Sequence, residues 1–114
     1  MNNERVSIRE IIENNPKNES WSKRLVDTEN NSATLISQMP GEGNRMHYHD
    51  NWNEWWYILG GEWEWNVEGR EIIVKKGDLV FIEKGKKHKI TAIGEFPAVR
   101  LAVSRADVNH IYQE

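Results

Sequence analysis

The sequence predicts an all-β fold, a meander or jelly roll, entered by one short helix. Three observations carry that expectation. Glycine-bearing turns recur at close to regular intervals from Gly60-Gly61 through Glu68-Gly69, Gly77-Asp78, Gly85 and Gly94. The segment Glu62 to Glu68 alternates strictly, with Trp63, Trp65 and Val67 on one face and polar or charged groups on the other. Helical signals are confined to short stretches near the two ends.

At the N-terminal end, Ile8, Ile11 and Ile12 sit at helical spacing, Ser7 and Glu10 form a capping box, and Asn15-Pro16 ends the run. Trp21 to Val26 and Ala33 to Met39 read as extended, and the turn-rich stretch from Asp27 to Ser32 between them makes a first hairpin. Ile72 to Lys75, Leu79 to Ile82, Lys89 to Ile93 and Val99 to Val103 supply further strands. Several are apolar on both faces, as expected where sheets pack on one another. Ser104 and Asp107 stand in capping positions for a short C-terminal helix that would reach Tyr112. With 114 residues, the chain is expected to form a single domain over residues 1–114, with a β-barrel core at about 33–103.

Composition excludes several function classes. A net charge of -3, from 15 basic and 18 acidic residues spread along the chain, leaves no basic stripe for nucleic acid or anionic lipid. No apolar run approaches the roughly 20 residues that cross a bilayer, and the N-terminus lacks the apolar segment of a secretory signal, so the expected location is the cytoplasm. The absence of cysteine rules out disulfides and thiolate ligands, leaving imidazole, carboxylate, carbonyl or water to hold any metal.

The chemistry gathers on four residues. His47 and His49, at i and i+2 on an extended segment, point to one side and can reach one ion together. Glu54 lies at an odd offset from them, but the turn-prone Asp50-Asn51-Trp52-Asn53 can reset the parity. His88 would have to arrive from across a sheet, which requires a closed or sandwiched fold. His110, alone near the end in the expected helix, reads as a solvent residue.

These residues resemble the cupin family. Its first motif runs glycine, five residues, His-x-His, three or four residues, Glu, six residues, glycine; Gly41, His47, His49, Glu54 and Gly61 occupy every fixed position. Gly77, Gly85 and His88 match the second motif, whereas Glu83 replaces its proline and Ala92 its asparagine. The resemblance implies a double-stranded β-helix, or jelly-roll barrel, holding one divalent transition-metal ion through His47, His49, Glu54 and His88. Three neutral imidazoles and one carboxylate leave a net charge of about +1 and, in octahedral geometry, about two open positions for water or an anionic ligand. The set suits Fe2+ or Mn2+ first, with Ni2+, Co2+ and Zn2+ as alternatives.

Around the expected ion, Trp56 shares the face of Glu54 and Ile58 and would form a wall, with Trp52 beside it. Burial alone accounts for Trp63 and Trp65. Arg45, on the parity of the two histidines, and Arg100, within an apolar strand, are candidates to receive a substrate carboxylate. Tyr48 is a further candidate to contact substrate, and in a redox-neutral reaction Tyr48, Tyr57 or a pocket glutamate would supply the proton transfer, with no catalytic residue singled out. The stretch from Asn44-Arg45 through Tyr48-His49 to Glu54 also resembles the 3-hydroxyanthranilate dioxygenases, in which the corresponding arginine anchors a carboxylate. The implied function is a metal-dependent oxygenase acting on a small, anionic molecule. A redox-neutral metal-dependent isomerase or lyase and a non-catalytic binding module are the alternatives. Five of the six tryptophans fall between residues 52 and 65, and such aromatic, apolar strands in a short chain lead to the expectation of a homodimer.

Overall fold

The computed structural model describes residues 1–105 and 110–112. Helix α1 (Ile8–Glu13) precedes ten strands: β1 (Trp21–Asp27), β2 (Ser32–Gln38), β3 (His47–Tyr48), β4 (Glu54–Gly60), β5 (Glu62–Val67), β6 (Arg70–Lys75), β7 (Leu79–Ile82), β8 (His88–Ile93), β9 (Ala98–Ser104) and β10 (Ile111–Tyr112). They build two five-stranded antiparallel sheets, one in the order β1-β2-β9-β4-β7 and the other β10-β3-β8-β5-β6. Apart from the hairpins β1-β2 and β5-β6, chain neighbours pass between sheets, and the result is the jelly roll that the turn spacing implied. Among the described residues no helix is long and apolar enough to cross a membrane.

The space between the sheets is filled by the alternation read from the sequence. Trp56, Ile58, Ile82 and Ala98 come from one sheet and Trp63, Trp65, Val67, Val74, Ile90 and Ala92 from the other. Trp63 and Trp65 are 0% exposed, so each contributes about 4–6 kcal/mol of transfer free energy if about 200 Å² of apolar surface leaves water. A second apolar layer lies outside the first sheet, where Ile8, Ile11 and Ile12 of α1 pack over Leu25, Leu35 and Val99. The Ser7 hydroxyl caps α1 by accepting from the Glu10 amide at 3.3 Å.

The helix covers only part of that outer face. On β4 and β7 the paired residues Trp55↔Phe81 and Tyr57↔Leu79 leave four large apolar side chains exposed. Gly61 turns β4 into β5 at φ +68°, and a Cβ there would lie 2.6 Å from Ala98 Cα, so only glycine fits. The C-terminal helix expected over Ser104 to Tyr112 is not found in the described residues: Ser104 ends β9 and Ile111–Tyr112 form β10, while 106–109 lie outside the described residues. Pairing with the free edge of β3 outweighs the local capping signals of that segment.

Candidate metal centre

Register brings the motif residues together. In the second sheet β3 and β8 pair antiparallel with His47 directly opposite His88, and directly paired residues project to the same face. His49 follows two residues on, again on that face. Glu54 opens β4 in the other sheet, opposite Ile82, after the loop at residues 50–53 has reset the parity. The loop before His88 is tied to the first motif, because the Gly85 amide donates to the His49 carbonyl at 2.5 Å and the Lys84 amide to Asn53 Oδ1 at 2.9 Å. Both sheets thus contribute donors to one space.

All four side chains are buried, with exposures of 3% for His47, 2% for His49, 9% for Glu54 and 0% for His88, which withdraws the donors from competition with bulk water. Ring centroids stand 4.9 Å apart for His47 and His49, 4.3 Å for His47 and His88, and 5.3 Å for His49 and His88. The donors fall into two overlapping groups, each with all its donor atoms within 4.8 Å of one another. One holds His49, Glu54 and His88; the other holds His47, His49 and His110. His49 belongs to both. His110, read from the sequence as a solvent residue, is indeed exposed, yet its ring lies 4.7 Å from that of His49 and 5.2 Å from that of His47.

Backbone carbonyls set the imidazole tautomers. His47 Nδ1 donates to the Arg45 carbonyl at 2.7 Å and His88 Nδ1 to the Lys86 carbonyl at 3.1 Å. A carbonyl only accepts, so Nδ1 carries the proton and Nε2 presents its lone pair, the arrangement that supports a metal-ligating imidazole. Burial holds both rings neutral. It lowers the His88 pKa to about 4 against the opposing pull of the Lys86 carbonyl, and it lowers that of His47, again opposed by a backbone carbonyl and reinforced by the neighbouring His49. His49 Nε2 lies 2.8 Å from Glu54 Oε1, so a cation bound there would be reached by both atoms.

The residues fit a divalent ion. His88 Nε2 is buried and has no hydrogen-bond partner among the described residues, which costs about 1–3 kcal/mol unless something is bound to it. An ion accepting that lone pair satisfies it.

The surrounding residues separate into those that line the site and those that do not. Trp56, 3% exposed, meets the His88 ring edge-on at 5.7 Å and the Trp65 ring at 5.4 Å, and so walls the site. A cavity of about 730 Å³ adjoins it, with Arg45, His47, Arg100, His110 and Tyr112 among its lining residues. The Arg45 guanidinium lies 4.1 Å over the Tyr112 ring. Arg100 is buried against the Trp63 ring at 4.5 Å, and its Nη1 donates to Gln38 Oε1 at 2.5 Å. Its Nε has no hydrogen-bond partner, and no carboxylate among the described residues forms an ion pair with it. Burial lowers its pKa to about 10, with the Glu54 charge pulling the other way, so it stays cationic at neutral pH.

Three expectations need correction. Tyr48 lies between His47 and His49 on the strand, so its side chain projects to the opposite face. Trp52, 37% exposed, lines a separate surface depression of about 570 Å³ with Asn30, Asn51 and Trp55, where Arg105 covers its ring at 4.9 Å. The loop that resets parity for Glu54 carries Trp52 outward. Tyr57 is on the outer face of β4 and 40% exposed, so it too is removed from the site. The residues that sequence reasoning missed are His110 and Tyr112. Their i, i+2 spacing matches that of His47 and His49 and could have been read as a second His-bearing strand.

Comparison with known proteins agrees with this arrangement. The family model described as "Cupin domain" matches residues 34–104. The oxalate-binding protein of Thermotoga maritima is 34% identical over 76 residues, covering 64% of this chain and 63% of that protein. The oxalate decarboxylase OxdC of Bacillus subtilis is 26% identical over 81 residues, 67% of this chain but 21% of that protein. The chain therefore spans less than two thirds of the length of these relatives. Among solved structures, a protein with a double-stranded β-helix domain from Klebsiella pneumoniae superposes with a TM-score of 0.82 at 20% identity, covering 99% of this chain and 94% of the other. A predicted oxalate decarboxylase from Thermotoga maritima gives 0.71 at 25% identity, covering 75% and 79%. With a family model matched over well more than half of its residues and a jelly roll shared along almost its whole length, the chain belongs to the cupin family.

Proposed function

We propose that the protein holds one divalent transition-metal ion through His47, His49, Glu54 and His88 and uses it to bind a small carboxylate-bearing anion in the cavity that Arg100 lines. The observation that carries this reading is the buried His88 Nε2, aimed with His49 and Glu54 at a common space and lacking a partner. The ion would supply a Lewis acid that polarises a bound carboxylate, with Fe2+ or Mn2+ as the favoured occupants. Arg100 then pairs with the carboxylate through its unsatisfied Nε edge, and Trp56 and Trp63 keep water from that side of the cavity. Of the tyrosines, Tyr112 is the one at the cavity wall and takes the place that Tyr48 and Tyr57 cannot fill for proton transfer.

The reaction we favour is an oxygenase reaction on the bound acid with iron. A redox-neutral lyase reaction is the second reading, supported by the resemblance to an oxalate decarboxylase. The test is to load purified protein separately with Fe2+ and Mn2+, then follow O2 uptake, CO2 release and heat of binding with oxalate and a panel of small mono- and dicarboxylates. O2 consumption with iron supports the first reading, and CO2 release that persists without O2 supports the second. No heat, uptake or release with any acid would sink the carboxylate assignment. We further infer a single-domain, cytoplasmic homodimer that pairs through the bare apolar face of Trp55, Tyr57, Leu79 and Phe81.

A further inference from the structure

His110 is not among the four positions that the motifs supply. Its placement is nevertheless specific. Strand β10 pairs with β3 as Ile111↔Tyr48 and Tyr112↔His47, and continuing that register sets His110 opposite His49. Directly opposed residues share a face, so His110 and Tyr112 both project to the side occupied by His47 and His49. The donor atoms of His47, His49 and His110 all lie within 4.8 Å of one another. Donors at about 2.1 Å from one octahedral ion stand roughly 3.0 Å apart when adjacent and roughly 4.2 Å apart when opposite, so small side-chain movements close the group on an ion. Arg45 over the Tyr112 ring holds the strand against the mouth of the cavity.

We propose that His110 is a fifth protein ligand, reaching from β10 to the ion that His47, His49, Glu54 and His88 hold. The inference rests on the metal reading above. A neutral fifth donor leaves the charge of the site unchanged and reduces the open positions from two to one. A monodentate anion then binds beside His110, whereas an anion that chelates through two oxygens must displace it.

The experiment is titration of metal-free protein with Co2+, reading the dissociation constant by calorimetry and the visible absorption of the bound ion, for the wild type, His110→Ala and His110→Phe. Phenylalanine keeps a ring packed against His47 and His49 and supplies no donor, so it separates ligation from packing. Both variants are expected to bind Co2+ about tenfold or more weakly, in line with the loss of groups that support metal sites, and to show altered absorption. Added imidazole is expected to return the wild-type spectrum to His110→Ala. Wild-type affinity and spectrum in His110→Phe would overturn the proposal while leaving four-residue binding intact. Failure of the wild type itself to bind Co2+ would overturn both.

Discussion

The buried His88 gives the protein a defined acid sensitivity in the metal-free state. At 0% exposure the ring needs no allowance for solvent screening, and burial takes its pKa from 6.5 to about 4. Above pH 6.5 the ring is neutral in both folded and unfolded chains, and the stability associated with it is complete. As the pH falls below 6.5, the unfolded chain takes up a proton that the folded chain refuses until about pH 4, so stability drops through that window. At 1.36 kcal/mol per pKa unit, the loss approaches about 3 kcal/mol, a large part of the stability of a small domain. His47, shifted in the same direction, adds to it. The assay is urea unfolding in EDTA at pH 7, 5.5 and 4, followed by the fluorescence of the buried Trp63 and Trp65, for the wild type and His88→Leu. Carboxylate titration affects both proteins, so the difference between them isolates the ring. It should shift toward the variant by about 3 kcal/mol between pH 7 and pH 4. Parallel loss of stability in the two proteins would refute the reasoning.

Other perturbations test other parts of the molecule. Arg100→Lys removes the planar fork while keeping a charge, and should weaken oxalate binding by about tenfold in calorimetry with the Co2+ dissociation constant unchanged. Gly61→Ala forces a Cβ against Ala98 at a backbone angle that disfavours it, and should cost roughly 2–4 kcal/mol in chemical unfolding. Leu79→Glu with Phe81→Glu places charges on the bare outer face, and light scattering should show a dimeric wild type and a monomeric double variant of near-wild-type metal affinity.

Much of this molecule is legible in local pattern. Trp63, Trp65 and Val67 alternate because one side of their strand is core, and Ile8, Ile11 and Ile12 recur at helical spacing because the helix lies on a sheet. His47, His49, Glu54 and His88 could be grouped before any coordinates because their spacing fits a known motif. Their convergence depends on the register between β3 and β8, which no local signal encodes. His110 is exposed, as the sequence implies, and its place beside His47 and His49 comes likewise from strand pairing distant in sequence. Ser104 and Asp107 speak for a helix, and only the free edge of β3, distant in sequence, makes a strand of Ile111–Tyr112. Tyr48 and Trp52 adjoin the ligands in sequence, yet one neighbour of a ligand on a strand faces away from it, and the other lies in a loop that leaves the barrel.

Strand β4 has no idle side. Glu54, Trp56 and Ile58 look into the interior, while Trp55 and Tyr57 look out from the opposite surface, each a single peptide unit from an inward neighbour. Any molecule that came to rest on the outside of the sheet would press on the same ribbon of backbone that aims Glu54. A substitution on the exterior and one in the interior consequently act through one seven-residue stretch of backbone.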